Sequence, residues 1–233
     1  MPTVKFNTAL IVGAGSGLSA ALARVLTTEG IKVALAARST GDLDSLAKEI
    51  NSPTFTCDAS KRADVEKLFA DLDSGFGAPE IVIFNPSYRT RGPVAELDPA
   101  EVEKALMVTA FGGFLVGQQA ARRMLPKKHG CIVFTGASAS VKGYSLSAPF
   151  AMGKFALRGL AQSMSRELHP KGIHVAHVVI DGGIKSERRP EPEGKTASLL
   201  NPTSIAASYL HLIHQPHSAW SSELELRPWI ESF

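Results

Sequence analysis

Short apolar runs alternate with longer stretches of helical period along most of the chain. Thr8–Val12 (T-A-L-I-V) reads as a first strand, and Leu18–Glu29, apolar at 18, 22, 25 and 26, as a helix stopped by Gly30. Ile31–Ala36 and Asp42–Ile50 follow as a second strand and helix, then Thr54–Cys57 and Lys61–Phe76 as a third pair ending in Gly75 and Gly77. Glu80–Phe84 is a fourth strand, and Pro99–Met124 reads as one long helix stopped near Pro126. Cys131–Thr135, Pro149–Leu168 and Ile173–Ile180 complete the series as strand, helix and strand. The β-branched runs I-V-I-F and V-A-H-V-V-I suit strands buried on both faces. Such alternation, closed by right-handed crossovers, predicts an α/β fold with a doubly wound parallel sheet.

After Ile180 the rhythm breaks. Residues 185–200 are rich in Pro, Glu, Arg and Gly, and read as a mobile loop before a helix over Pro202–His214 and a last strand around Glu223–Leu226. A loop after a late strand end of such a sheet overhangs the ligand crevice, which makes it a substrate lid; a plain solvated connector has the same composition. With no internal repeat and no linker, residues 1–233 read as one domain of seven strands. The formal charge of +3 and the scattered pairs Arg122-Arg123, Lys127-Lys128 and Arg188-Arg189 give no basic stripe for nucleic acid. Cys57 and Cys131 offer no disulfide framework, and no apolar run reaches the length of a membrane span. The N-terminal segment Met1–Asn7 has neither a signal nor a transit pattern, so the expected setting is the cytoplasm, with no membrane partner.

The turn Val12-Gly13-Ala14-Gly15-Ser16-Gly17-Leu18 lies between the first strand and the first helix. Gly13, Gly15, Ser16, Gly17 and Leu18 can therefore bring backbone N–H groups to a pyrophosphate at a helix N-terminus, where the macrodipole favours anions. This context, strand before and helix after, is what a dinucleotide-binding reading requires. At the end of the second strand, where a carboxylate would take a ribose 2′-hydroxyl, the chain has Ala37-Arg38. A guanidinium pairs with a 2′-phosphate, so NADP(H) is preferred over NAD(H); the alternative is that Arg38 is an ordinary surface arginine.

These motifs, taken in order, resemble the short-chain dehydrogenase/reductase family over nearly the full length. Gly13-xxx-Gly17-x-Ser19 is similar to T-G-xxx-G-x-G, with Val12 for the Thr and Ser19 for the last Gly. Asp58 and Ala59 stand where the family contacts adenine, and Asn85-Pro86 where it has N-N-A-G. Asp181-Gly182-Gly183-Ile184-Lys185-Ser186 resembles P-G-x-v-x-T without the proline. The resemblance implies a Rossmann-type, NAD(P)-binding domain, cofactor contacts at Asp58, Ala59, Asn85, Pro86, Gly182 and Ile184, and a small-molecule substrate. It also implies a homodimer or homotetramer packed through the long helix and the helix bearing Lys154. Ala110, Gly112, Gly113, Gly117, Ala120 and Ala121 offer small residues for that contact or for packing on the chain's own sheet.

The same resemblance exposes an anomaly. Lys154 matches the lysine of Y-xxx-K, but the tyrosine position is Phe150, the serine position Ala137 with Ser138 one along, and the asparagine position Thr109. In the family the tyrosine passes a proton while hydride moves at the nicotinamide, the serine polarises the carbonyl, and the lysine lowers the tyrosine pKa and holds the ribose. Phenylalanine has no proton to give. Tyr144 or Tyr88 remains as a displaced acid, with Ser138 binding the substrate oxygen; Tyr209, on the last helix, is expected to lie too far away. The histidines 211, 214 and 217 lack a carboxylate or cysteine partner for a metal site, and Pro216 ends their helix. Two readings stand: an oxidoreductase of carbonyls, alcohols or activated double bonds with an atypical site, and a protein that holds NADP(H) without turnover.

Overall fold

The computed structural model describes residues 5–230; the readings made at residues 1–4 and 231–233 lie outside the described residues. Strands β1 (Thr8–Val12), β2 (Lys32–Ala37), β3 (Thr54–Thr56), β4 (Ile81–Phe84), β5 (Gly130–Thr135), β6 (Ile173–Ile180) and β7 (Glu223–Leu226) form one sheet. Its order is β3-β2-β1-β4-β5-β6-β7, and every pairing is parallel. The chain moves outward from β1 to β3, then returns to place β4 on the other side of β1. The crevice outside the carboxyl ends of β1 and β4 is therefore the switch point at which such sheets bind ligands.

Helices cover both faces, and strand alternation divides the core between them. Ala9, Ile11, Ile81, Ile83, Val133 and Val178 point to the face packed by α1 (Leu18–Thr28) and α7 (Pro202–Ile213), through Leu22, Leu26, Ile205 and Leu212. Leu10, Val12, Val82, Phe84, Ile132 and Phe134 point to the other face, which meets α3 (Arg62–Gly75), α5 (Gly112–Met124) and α6 (Ala148–Leu168). A short α2 (Asp44–Glu49) and α4 (Pro99–Leu106) complete the set. The α4 start is explained by Asp98, whose carboxylate accepts from the Ala100 N–H ahead of Pro99.

The long helix expected over Pro99–Met124 is broken. Met107–Phe111 forms a π turn between α4 and α5, a feature that gathers at functional sites. It places buried Thr109 against Gly153 of α6, where an added Cβ would come within 3.0 Å of the threonine Cβ. The small residues of α5 are taken up inside the chain. A Cβ on Gly113 would lie 2.4 Å from Leu157, and one on Gly112 2.9 Å from the Ala59 carbonyl oxygen. Gly112, Gly113 and Gly117 are thus used in packing within the chain, while Phe111 and Phe114 of the same stretch stay exposed.

Candidate active site

The Gly-rich turn is held open by backbone geometry and a short polar relay. Gly13 has φ +79°, and a Cβ there would sit 2.7 Å from the Pro86 nitrogen, so only glycine lets the turn pass the end of β4. Ser19 donates its hydroxyl to the Gly13 carbonyl at 3.0 Å and accepts from Asn85 Nδ2 at 2.8 Å. The relay ties β1, α1 and β4 together at the switch point. No side chain caps α1, whose N-cap is Gly17, so its first N–H groups are left for an anion.

Two cavities open beside this turn and share Gly13, Asn85 and Ser87. The first, of about 560 Å³, is lined by Val12, Ala37, Arg38, Cys57, Asp58, Ala59 and Pro86 among others. Arg38 lies in the open; burial works to raise the Asp58 carboxyl, but hydrogen bonds from Ser60 together with the charges of Lys61 and Arg38 hold it below its ordinary value. The second, of about 580 Å³, runs from Gly15, Gly17 and Leu18 to Phe150, Lys154, Gly182 and Ile184. Of the residues expected at the cofactor, only Ser16 lines neither cavity. The donor set fits a dinucleotide: a glycine cradle that a Cβ would fill, an uncapped helix start, and Arg38 beside the first cavity.

At the base of the second cavity, Lys154 is 3% exposed and donates from Nζ to the Thr135 carbonyl at 2.7 Å. Burial, with a smaller contribution from nearby Arg89, pushes its pKa down to about 7. Phe150, one helical turn earlier on α6, lies beneath the Arg89 guanidinium, 4.1 Å from ring centre to guanidinium carbon. Buried Tyr209 meets Thr135 as well: the two hydroxyl oxygens are 3.0 Å apart. Tyr209 thus stands behind Thr135, whose carbonyl accepts from Lys154, and lines neither cavity.

The displaced-acid expectation is corrected here. Tyr144 is 47% exposed and lines neither cavity, because the loop turns outward to Leu146, itself at φ +59°. Tyr88 points to α4, where its hydroxyl donates to Glu101 at 2.5 Å and accepts from Lys104 at 3.1 Å. Ser138 is also off the cavity: Ala137 forms the wall, and the Ser138 hydroxyl serves buried Asp181, which pairs with Lys142 and Arg227 at 3.1 and 3.0 Å. Among the described residues, no tyrosine lines the second cavity. Arg89 is the cavity residue that sequence reading missed, since it sits in an aperiodic loop after β4.

The start of the 185–200 segment borders the second cavity. Ile184 bridges Leu200 in parallel, Lys185 donates its N–H to the Leu200 carbonyl, and Lys185, Ser186, Arg188 and Arg189 face the cavity. The other histidines lie elsewhere. His174 stacks on Trp220 at 4.8 Å, and His177 meets Glu223 at 3.2 Å. His214 packs near Phe6, and His217 stands edge-on to Trp220.

The model of the short chain dehydrogenase family matches residues 7–193. A short-chain dehydrogenase from Rhodopseudomonas palustris superposes with a TM-score of 0.83 at 35% identity, covering 96% of this chain and 99% of its own. Short chain aldehyde dehydrogenase 1 of Euphorbia lathyris is 33% identical over 178 residues, 72% of this chain but only 60% of that protein's length. An alcohol dehydrogenase from the archaeon Thermococcus sibiricus, complexed with 5-hydroxy-NADP, shares the fold with a TM-score of 0.87 at 22% identity, covering 98% and 99% of the two chains.

Proposed function

The chain belongs to the short-chain dehydrogenase family, and from that membership we propose that it is an oxidoreductase preferring NADP(H) over NAD(H), with a site that works without a tyrosine acid. The observation that carries this reading is Lys154, buried at the floor of a cavity continuous with the Gly13–Leu18 turn. A bound nicotinamide dinucleotide supplies or accepts a hydride at its ring. The chain's own residues hold it: the turn and the start of α1 take the pyrophosphate, Arg38 a 2′-phosphate, and Asp58 and Ala59 flank the adenine. With one donor on Thr135, Lys154 keeps its remaining N–H groups for ribose hydroxyls. The NADP analogue in the Thermococcus neighbour agrees with this cofactor class.

Phe150 removes the proton source of ordinary carbonyl reduction, an effect worth about 10²–10⁴ in rate. An activated double bond suits such a wall better, because the saturated carbon takes its proton from water and no strong acid is needed at the Phe150 position. Residues 185–200 act as the lid. A second copy covers the exposed apolar side chains Phe111 and Phe114 near the π turn and Met152 and Phe155 on α6. The free, buried Cys57 and Cys131 suit a reducing cytoplasm.

A panel of enones, aldehydes and ketones, followed by loss of NADPH absorbance, tests the proposal. Faster turnover of enones than of matched saturated ketones supports it. Tight NADPH binding with no turnover on any class would favour a silent NADP(H)-binding protein, the reading suggested by the absence of tyrosine and Ser138 from the cavity.

A further inference from the structure

Among the described residues, the second cavity is lined by Arg89, Lys154, Lys185, Arg188 and Arg189, and by no aspartate or glutamate. In a chain with 25 basic and 22 acidic residues, that imbalance is local rather than a reflection of composition. Of the acids nearby, Glu191 offsets Lys185 rather than the three arginines, and Asp181 is taken up outside the cavity. Glu191 pairs with Lys185 at 3.5 Å and accepts the Ser198 N–H, while Asp181 is held between Lys142 and Arg227. Among the described residues, Arg89, Arg188 and Arg189 have no carboxylate within ion-pair distance. Like charges brought together without counter-ions repel, most strongly where the surroundings are apolar.

We propose that Arg89, with Arg188 and Arg189, forms an anion subsite above Phe150, and that the substrate carries a carboxylate or phosphate beside an apolar body. This inference rests on the oxidoreductase reading and names the substrate class of the same site. The pyrophosphate has its own donors in the Gly13–Leu18 turn, whereas Arg89 stands at the Phe150 end of the cavity. Its fork of N–H groups fits planar or tetrahedral anions, and the phenyl ring below keeps it in place. Burial together with Arg91 and Arg189 lowers the Arg89 pKa, which an incoming anion reverses. The negative charge thus completes an electrostatic arrangement that the chain leaves unbalanced.

The test is calorimetric titration of the NADP-saturated protein with benzoate, phenyl phosphate and neutral benzamide. At least one anion is expected to bind about tenfold or more tighter than benzamide, and whichever anion leads identifies the group. Arg89→Leu is expected to abolish the preference and Arg89→Lys to retain part of it, with NADPH affinity changed by less than about threefold in both. Equal or tighter binding of benzamide, no anion binding, or an unchanged preference in Arg89→Leu would overturn the inference. So would a loss of NADPH affinity matching the loss of anion, which would assign Arg89 to the cofactor. Failure of the unmodified protein to bind NADP(H) at all would instead undo the oxidoreductase reading.

Discussion

The guanidinium carbon of Arg89 lies 4.1 Å from the centre of the Phe150 ring. A cation rests on the side chain that, on the proposed reading, takes the place of the family's acid, and Lys154 Nζ approaches the same ring to 5.9 Å. The electrostatic setting for lowering a phenol pKa is therefore present without the phenol.

Phe150→Tyr is accordingly expected to raise NADPH-dependent ketone reduction by about tenfold or more, the lower part of what general acid catalysis supplies, because Ala137 still leaves the carbonyl without a serine. Steady-state kcat on a ketone panel measures it. No gain would show that the cavity no longer orders a carbonyl against this position.

Lys154 makes stability depend on pH. Its pKa is about 7 in the fold against an ordinary value near 10.5, so between these values the unfolded chain holds a proton that the native chain has released. Stability is thus expected to rise with pH through this window, and the cost of a buried ammonium is full below about pH 7. Lys154→Met removes the effect. Denaturant unfolding at about pH 7 and pH 9 should show the unmodified protein gaining up to a few kcal/mol more than the variant. Parallel changes in the two proteins would contradict the buried, uncharged state.

Gly13→Ala places a Cβ 2.7 Å from the Pro86 nitrogen at φ +79°. A stability loss of roughly 1–3 kcal/mol is expected, with weaker NADPH binding. Thermal unfolding and cofactor titration check both, and an unchanged melting temperature would mean that the turn relaxes freely.

Much of the fold was legible because its strands are buried on both faces and so read as continuous β-branched runs, as in Ile81–Phe84 and Ile173–Ile180. The Gly-rich turn was legible because its position between strand and helix carries the chemistry. The π turn at Met107–Phe111 left no trace in the apolar pattern, and the packing of Thr109 against Gly153 that accompanies it involves another helix. Contacts across the sheet were equally hidden: Tyr209 reaches Thr135 because α7 packs back over the sheet, which sequence distance does not reveal. Tyr144 and Ser138 were misread because a one-residue step or an outward turn in a loop decides whether a side chain meets a cavity.

Arg38→Ala is expected to weaken NADPH binding by about tenfold or more while leaving NADH nearly unchanged, because only the 2′-phosphate uses the guanidinium. Equal losses for both cofactors would reduce Arg38 to a general contact.

The central claim, a nicotinamide oxidoreductase built for NADP(H), is tested most directly by calorimetric titration of the unmodified protein with NADPH and with NADH. The account requires NADPH to bind about tenfold or more tighter than NADH. Equal affinities would contradict the NADP preference, and no binding of either would contradict the cofactor site itself.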